Sequence, residues 1–180
     1  AFTVIMANGD GWIDDYDLKI IVPFNYPKEI PKVYELENKI PRDGRHHINP
    51  DDSLCLGSPF RIHIILSKNL SIVNFAENIL VPYLFAISKQ KKYGGPIFPD
   101  ELAHGKAGIL VEYQQIFKLR SKEQINYVFE LLSKKRRIAN KMLCPCECGL
   151  KLGSCHYHNI LNQYRHVTYR SGFLEFIKDL

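Results

Sequence analysis

Two groups of chemically capable residues stand out in this chain of 180 residues. The first is the stretch 45–56, Arg-His-His-Ile-Asn-Pro-Asp-Asp-Ser-Leu-Cys-Leu, which sets His46, His47 and Asn49 ahead of one cysteine, Cys55. A thiol near imidazoles can become a thiolate, and the thiolate is the form that attacks carbonyl carbon. Cys55 therefore reads as a nucleophile; the competing role is a small buried hydrophobe. His47 could donate a hydrogen bond to a tetrahedral oxyanion or accept a proton from an incoming amine. Loop packing or surface display is the competing role for both histidines. Asp51 and Asp52 could help deprotonate an attacking lysine, and they serve equally well as exposed turn acids. Asp52 close to the sulfur would oppose thiolate formation.

The second group is Cys144, Cys146, Cys148 and Cys155, with His156 and His158 immediately after. Zinc takes four thiolate or imidazole ligands in a tetrahedron, and so short a segment has too little core to fold otherwise. The candidate ligands exceed four, which leaves no position for a catalytic water, so the metal is structural. The total of five cysteines is odd, with four of them crowded together. That distribution favours reduced thiols and a metal over a disulfide framework, and a cytoplasmic protein.

These groups need elements to position them. Composition (46% hydrophobic, 24% charged) is that of a soluble globular protein with ample length for a core. No apolar run is long enough to cross a bilayer, and nothing resembles a secretory signal. Ala1 opens in a strand pattern without an initiator Met, so the natural start is expected to be missing. The net charge of +5 is modest. Much of it sits in the blocks 89–92 and 134–137, each after a helix-like pattern where cations suit the negative end of the dipole. They read as helix ends and solvated surface; a nucleic-acid surface would need more.

Residues 2–8 are apolar strand formers, and Asn8-Gly9-Asp10-Gly11 is turn chemistry. Tyr16, Leu18, Ile20 and Val22 alternate with other residues at strand period, and a short third strand covers 32–36, with Tyr34 and Leu36 on one face. A three-stranded meander follows. Residues 37–60 carry no period, and a long irregular segment within a domain commonly carries function. Helices come next. Ile72, Phe75, Ala76, Ile79 and Tyr83 recur at helical spacing behind Asn69 or Ser71 as cap, with Pro82 as a kink or restart. A second helix runs from an Asp100 cap through Ile109, Tyr113 and Phe117. A third starts from a Ser121/Gln124 capping box, with Ile125, Val128, Phe129 and Leu132 inward. The last segment is expected to hold short helices at 158–164 and 171–180. The fold class is α+β, with a domain over 1–138 and a separate cysteine-rich module over 142–180.

This succession resembles the ubiquitin-conjugating enzyme fold. Tyr26-Pro27 and Pro31 match the family's Tyr-Pro and following Pro after the strands, and Cys55-Leu56 match its catalytic Cys-Leu. The family's first helix and first strand are absent. Its His-Pro-Asn turn is also absent: eight residues before Cys55, where that Asn would stand, is His47, and Asn49 is six residues before. The resemblance implies that Cys55 carries a protein C-terminus as a thioester, with His47 or Asn49 in the polar role and His46 beside them. The tail, Cys144-Pro-Cys-Glu-Cys-Gly-Leu-Lys-Leu-Gly-Ser-Cys-His156, resembles the zinc motif at the end of the SecA translocation motor. That likeness implies Cys144, Cys146, Cys155 and His156 as ligands of Zn2+, with Cys148 and His158 competing. The two together are similar to bacterial proteins of anti-phage systems that signal with cyclic oligonucleotides. The expected donor is then the cyclic-nucleotide-producing nucleotidyltransferase, activated by another adenylating protein or by an unconventional route, and the acceptor is a protein. No membrane and no nucleic-acid partner is expected. The alternative is a catalytically inactive relative that binds a ubiquitin-like or peptide partner.

Overall fold

The computed structural model describes residues 2–5, 13–97 and 105–180. The chain divides into two compact units, Ala1–Gly57 with Lys68–Glu101, and Ser58–Ser67 with Leu102–Leu180. The sequence places a seam near 142, where composition changes. The structure instead counts the cysteine-rich tail with the preceding helices.

In the first unit, β1 (Phe2–Ile5) pairs antiparallel with β2 (Ile13–Tyr16), and β3 (Leu18–Ile21) with β4 (Lys32–Glu35). The expected second strand is thus interrupted at Asp17, and its halves serve two two-stranded sheets. The predicted turn at Asn8–Gly11 lies outside the described residues. On β4 the inward residues are Val33 and Glu35, while Tyr34 is half-buried and Leu36 exposed. A carboxylate can be buried there because it is satisfied: Glu35 accepts the N–H groups of Glu37 at 2.7 Å and Ile40 at 3.4 Å, and Arg42 lies at 3.5 Å.

A loop follows, then α1 (Pro59–Leu66), which belongs to the second unit. The chain returns to the first unit in one helical rod: α2 (Ile72–Phe75), a π-helical turn (Ala76–Leu80) and α3 (Val81–Tyr93). Ser71 caps it, accepting the Asn74 N–H at 3.1 Å. Pro82 was expected to kink or restart the helix. The wider π turn just before it accommodates a residue that has no N–H and crowds the carbonyl four positions back. Buried Tyr16 ties the rod to β2, sharing hydrogen bonds with Ser88 and Asp14.

The second unit holds α4 (Gly105–Phe117), α5 (Lys122–Ser133), α6 (Arg136–Ala139), α7 (His158–Tyr164) and α8 (Glu175–Lys178). The Asp100 cap lies outside the described residues. α5 has the expected capping box, with Gln124 N–H on Ser121 Oγ and Ser121 N–H on Gln124 Oε1, each at 3.1 Å. Its expected inner face, Ile125, Val128, Phe129 and Leu132, is buried. The core centres on Phe60 of α1, whose ring packs within 5.1–6.4 Å of Tyr113, Phe117, Phe129, Tyr164, Phe173 and Phe176. Cys144, Cys155, Tyr157 and Leu161 belong to the same core. Among the described residues no helix is long and apolar enough to cross a membrane.

Candidate functional site

Cys55 closes a small hairpin in the irregular loop of the first unit. Asn49 and Pro50 open the turn, as their preference for such positions predicts. The Asp52 N–H donates to the Asn49 carbonyl at 2.9 Å and the Asn49 N–H to the Ser53 carbonyl at 2.8 Å. His47 and Asp52 both take left-handed backbone, φ 55° and 62°, to fit the bend. Asp51 accepts from the backbone N–H and hydroxyl of Ser53 at 3.2 and 2.6 Å and from Lys32 Nζ at 2.6 Å. Lys32 and Ser53 hold its carboxyl down to about 2. Leu54 is buried and donates its N–H to the Val33 carbonyl at 2.8 Å, which fastens the hairpin to β4.

The next residue is Cys55. Its N–H donates to the His47 carbonyl at 2.7 Å, and the residue is half-buried and outside any disulfide. The backbone of His47 and the cysteine therefore lie side by side. The other candidates are engaged elsewhere. His46 Nδ1 donates to Asp43 at 2.6 Å. The Asn49 amide donates to Ser53 Oγ at 3.0 Å and the Leu54 carbonyl at 3.4 Å, inside the turn. Sequence reasoning missed Tyr83, a buried residue of α3 whose hydroxyl donates to the His46 carbonyl at 2.8 Å. Burial, with a smaller contribution from Cys55, pushes its phenol well above the ordinary value. The available signal was a Tyr on the inward face of a predicted helix, because a buried phenol needs an acceptor.

In the second unit, the ligand atoms of Cys144, Cys146, Cys148 and Cys155 all lie within 4.8 Å of one another. Tetrahedral zinc–sulfur bonds of about 2.3 Å would place the sulfurs about 3.8 Å apart. The Cys146–Cys155 separation is 3.7 Å and the Cys144–Cys146 separation 3.1 Å. The Cys146–Cys155 spacing meets that figure and the Cys144–Cys146 spacing falls short of it, so the four sulfurs could hold a metal ion after a small separation of the closer pair. Local backbone builds the convergence. Glu147 and Gly149 are left-handed at φ 61° and 79°, Leu143 bridges Lys151, and the Cys144 N–H donates to the Leu150 carbonyl at 2.9 Å. The Tyr157 N–H points at Cys155 Sγ at 3.4 Å. Burial pushes the Cys144 and Cys146 thiols up, whereas the Leu150 N–H lowers that of exposed Cys148. His156 is exposed, with Nδ1 3.9 Å from Cys155 Sγ. His158 Nδ1 donates to the Cys155 carbonyl at 2.6 Å, at the start of α7. The geometry thus favours Cys148, one of the alternatives left open by the sequence, over His156 as the fourth donor.

No protein-family model matches the chain, and neither the curated proteins nor the solved structures provide a match.

Proposed function

We propose that this chain is a ubiquitin-conjugating-like transferase that carries the C-terminus of another protein on Cys55 and passes it to an acceptor protein. The observation that supports this reading is the setting of Cys55: a half-buried cysteine whose own N–H is tied to His47, directly after a turn braced by Asn49, Asp51 and Ser53. A carrier needs a sulfur open to a large partner on backbone that does not move, since positioning is most of what an already activated thioester asks of an enzyme.

In the loading step the Cys55 thiolate attacks the activated carbonyl. The new carbon–sulfur bond forms, the leaving group departs with its electron pair, and the thiol proton goes to solvent. In transfer, an acceptor amine attacks the thioester carbon, loses a proton, and expels the Cys55 thiolate. His47 is the candidate donor to the oxyanion. Asn49, Asp51 and Tyr83 act as positioning residues, since their polar groups hold the hairpin and the His46 backbone. By resemblance, the donor is a cyclic-nucleotide-producing nucleotidyltransferase of bacterial anti-phage defence, and Zn2+ on the tail cysteines is structural.

The test bypasses any adenylating partner. The nucleotidyltransferase C-terminal peptide, made as a mercaptoethanesulfonate thioester, is incubated with the full chain and run on nonreducing gels. A thiol-sensitive adduct that disappears in Cys55→Ala is the expected result. Reversible binding of the peptide without an adduct would overturn the transferase reading in favour of the inactive binding module.

A further inference from the structure

We propose that the corner between α5 and α6 is a phosphate-binding site, in which Arg165 and Arg136 hold a phosphate group and Lys134, Lys135 and Arg137 surround it. The inference is independent of Cys55.

Charge is the first observation. Residues 131–174 hold eight Lys and Arg against a single acid, Glu147. That excess is larger than the +5 of the whole chain, so the remainder is net negative. A divalent ion on four thiolates would return two negative charges and still leave the segment strongly cationic. Among the described residues, none of Lys134, Lys135, Arg136, Arg137 and Arg165 takes part in an ion pair.

Geometry is the second. Arg165, at the end of α7, donates from Nη1 to the Lys134 carbonyl at 3.2 Å and from Nε to Asn162 at 3.3 Å. Capping the C-terminus of α5 in this way is a sufficient structural role for Nη1. It leaves Nη2 unexplained, because that nitrogen is buried and has no protein acceptor. An unsatisfied buried donor is costly, and one on a cation more so. Arg136 stands near enough to add repulsion to the burial that already lowers the Arg165 pKa. An oxyanion bridging the two guanidinium groups would relieve both costs.

Phosphate suits this place better than a carboxylate. A guanidinium offers paired N–H groups to tetrahedral oxygens. The four successive cations at 134–137 read from the sequence alone as a helix end. With the unsatisfied Arg165 beside them they match a ligand with repeated charges, and the favoured source is the backbone of a nucleic acid, against the expectation from sequence. A single nucleotide or pyrophosphate is the other source of the same chemistry.

The test uses the full, zinc-loaded chain. Anisotropy of a short fluorescein-labelled oligonucleotide is followed against salt, and melting is followed with added pyrophosphate. Binding should weaken roughly tenfold in Arg136→Ala/Arg137→Ala, with the salt slope falling by about one for each cation removed. Arg165→Lys should bind less tightly although its charge is kept. Lys89→Glu, in the other basic block, and Cys55→Ala should bind like wild type. Stabilisation by pyrophosphate without oligonucleotide binding would support the site and assign it to a small ligand. No response to either probe overturns the site, as does equal weakening by Lys89→Glu. The double variant alters only exposed residues and so keeps the test valid should Arg165→Lys misfold.

Discussion

The two cysteine loops of this protein solve opposite problems. Around Cys55, the chain spends side chains on the backbone: Asn49, Asp51 and Ser53 brace the turn, Tyr83 holds the His46 carbonyl, and one cysteine is left half-buried. Around Cys144, the backbone spends itself on side chains. Left-handed Glu147 and Gly149 turn the chain so that four sulfurs meet, and two of them, Cys144 and Cys155, are buried in the core. Hydrogen bonds worth about 1 kcal/mol each suffice to orient a loop that already rests on a strand. The short cysteine loop has few apolar side chains of its own, and a metal on its four sulfurs would supply a stronger tie. The first arrangement leaves a single sulfur at a partly buried position, whereas the second gathers four sulfurs at one point where a metal ion could be held.

Metal removal is the sharpest way to break this contrast. A structural zinc site contributes on the order of 10 kcal/mol to folding, and Cys144, Cys155 and Tyr157 share a core with Phe117 and Phe129. Chelation, or Cys144→Ser, should therefore unfold α4 and α5 along with the tail, seen as loss of amide protection in both helices by hydrogen exchange. Helices that stayed protected after chelation would show that the tail is a detachable appendage. Cys55→Ser should instead change stability by less than about 0.5 kcal/mol, because the exchange keeps the size of a side chain that is only partly buried.

The next effect in size comes from the aromatic centre of the second unit. Phe60→Ala removes a buried ring that meets six others, and should cost about 3–5 kcal/mol in denaturant unfolding. It should also weaken cobalt binding at the cysteines, since the sulfurs sit over the same core; unchanged metal affinity would separate the two. Ser121→Ala should cost about 1 kcal/mol through loss of the α5 cap, a purely local effect that leaves metal affinity intact.

The smallest effect tests the bracing of the first loop. Asp51 has a depressed carboxyl, about 2 against an ordinary 3.8. Its contribution is therefore fully present above pH ~4 and is lost as pH falls through ~2. The amide signals of Ser53 should follow that low titration by NMR, and Asp51→Asn should abolish it. Titration of those signals near an ordinary carboxylate value would mean that Lys32 and Ser53 do not hold the acid in solution.

Much of this was legible in the residues themselves. The α5 cap and its inner face followed from Ser121, Gln124 and a 3.6-residue period, because capping and amphipathicity are local. The cysteine spacing announced a metal for a similar reason. α1 escaped notice although Ser58-Pro59 is a sound helix start, because residues 62–65 (Ile-His-Ile-Ile) are apolar around without a helical stripe, and the element lies in the middle of a core. The inward turn of Glu35 was equally hidden, since its burial depends on Arg42 and on backbone donors further along.

Residue types and spacing by themselves determined which atoms could do chemistry: one isolated thiol, and a cluster of soft donors sufficient for a metal. Only the tertiary structure decided which of those atoms meet. Cys148 joins the sulfur cluster because two left-handed residues reverse the chain. The tail shares a core with the helices because Tyr157, Leu161 and Phe173 need apolar partners that so short a segment cannot provide for itself.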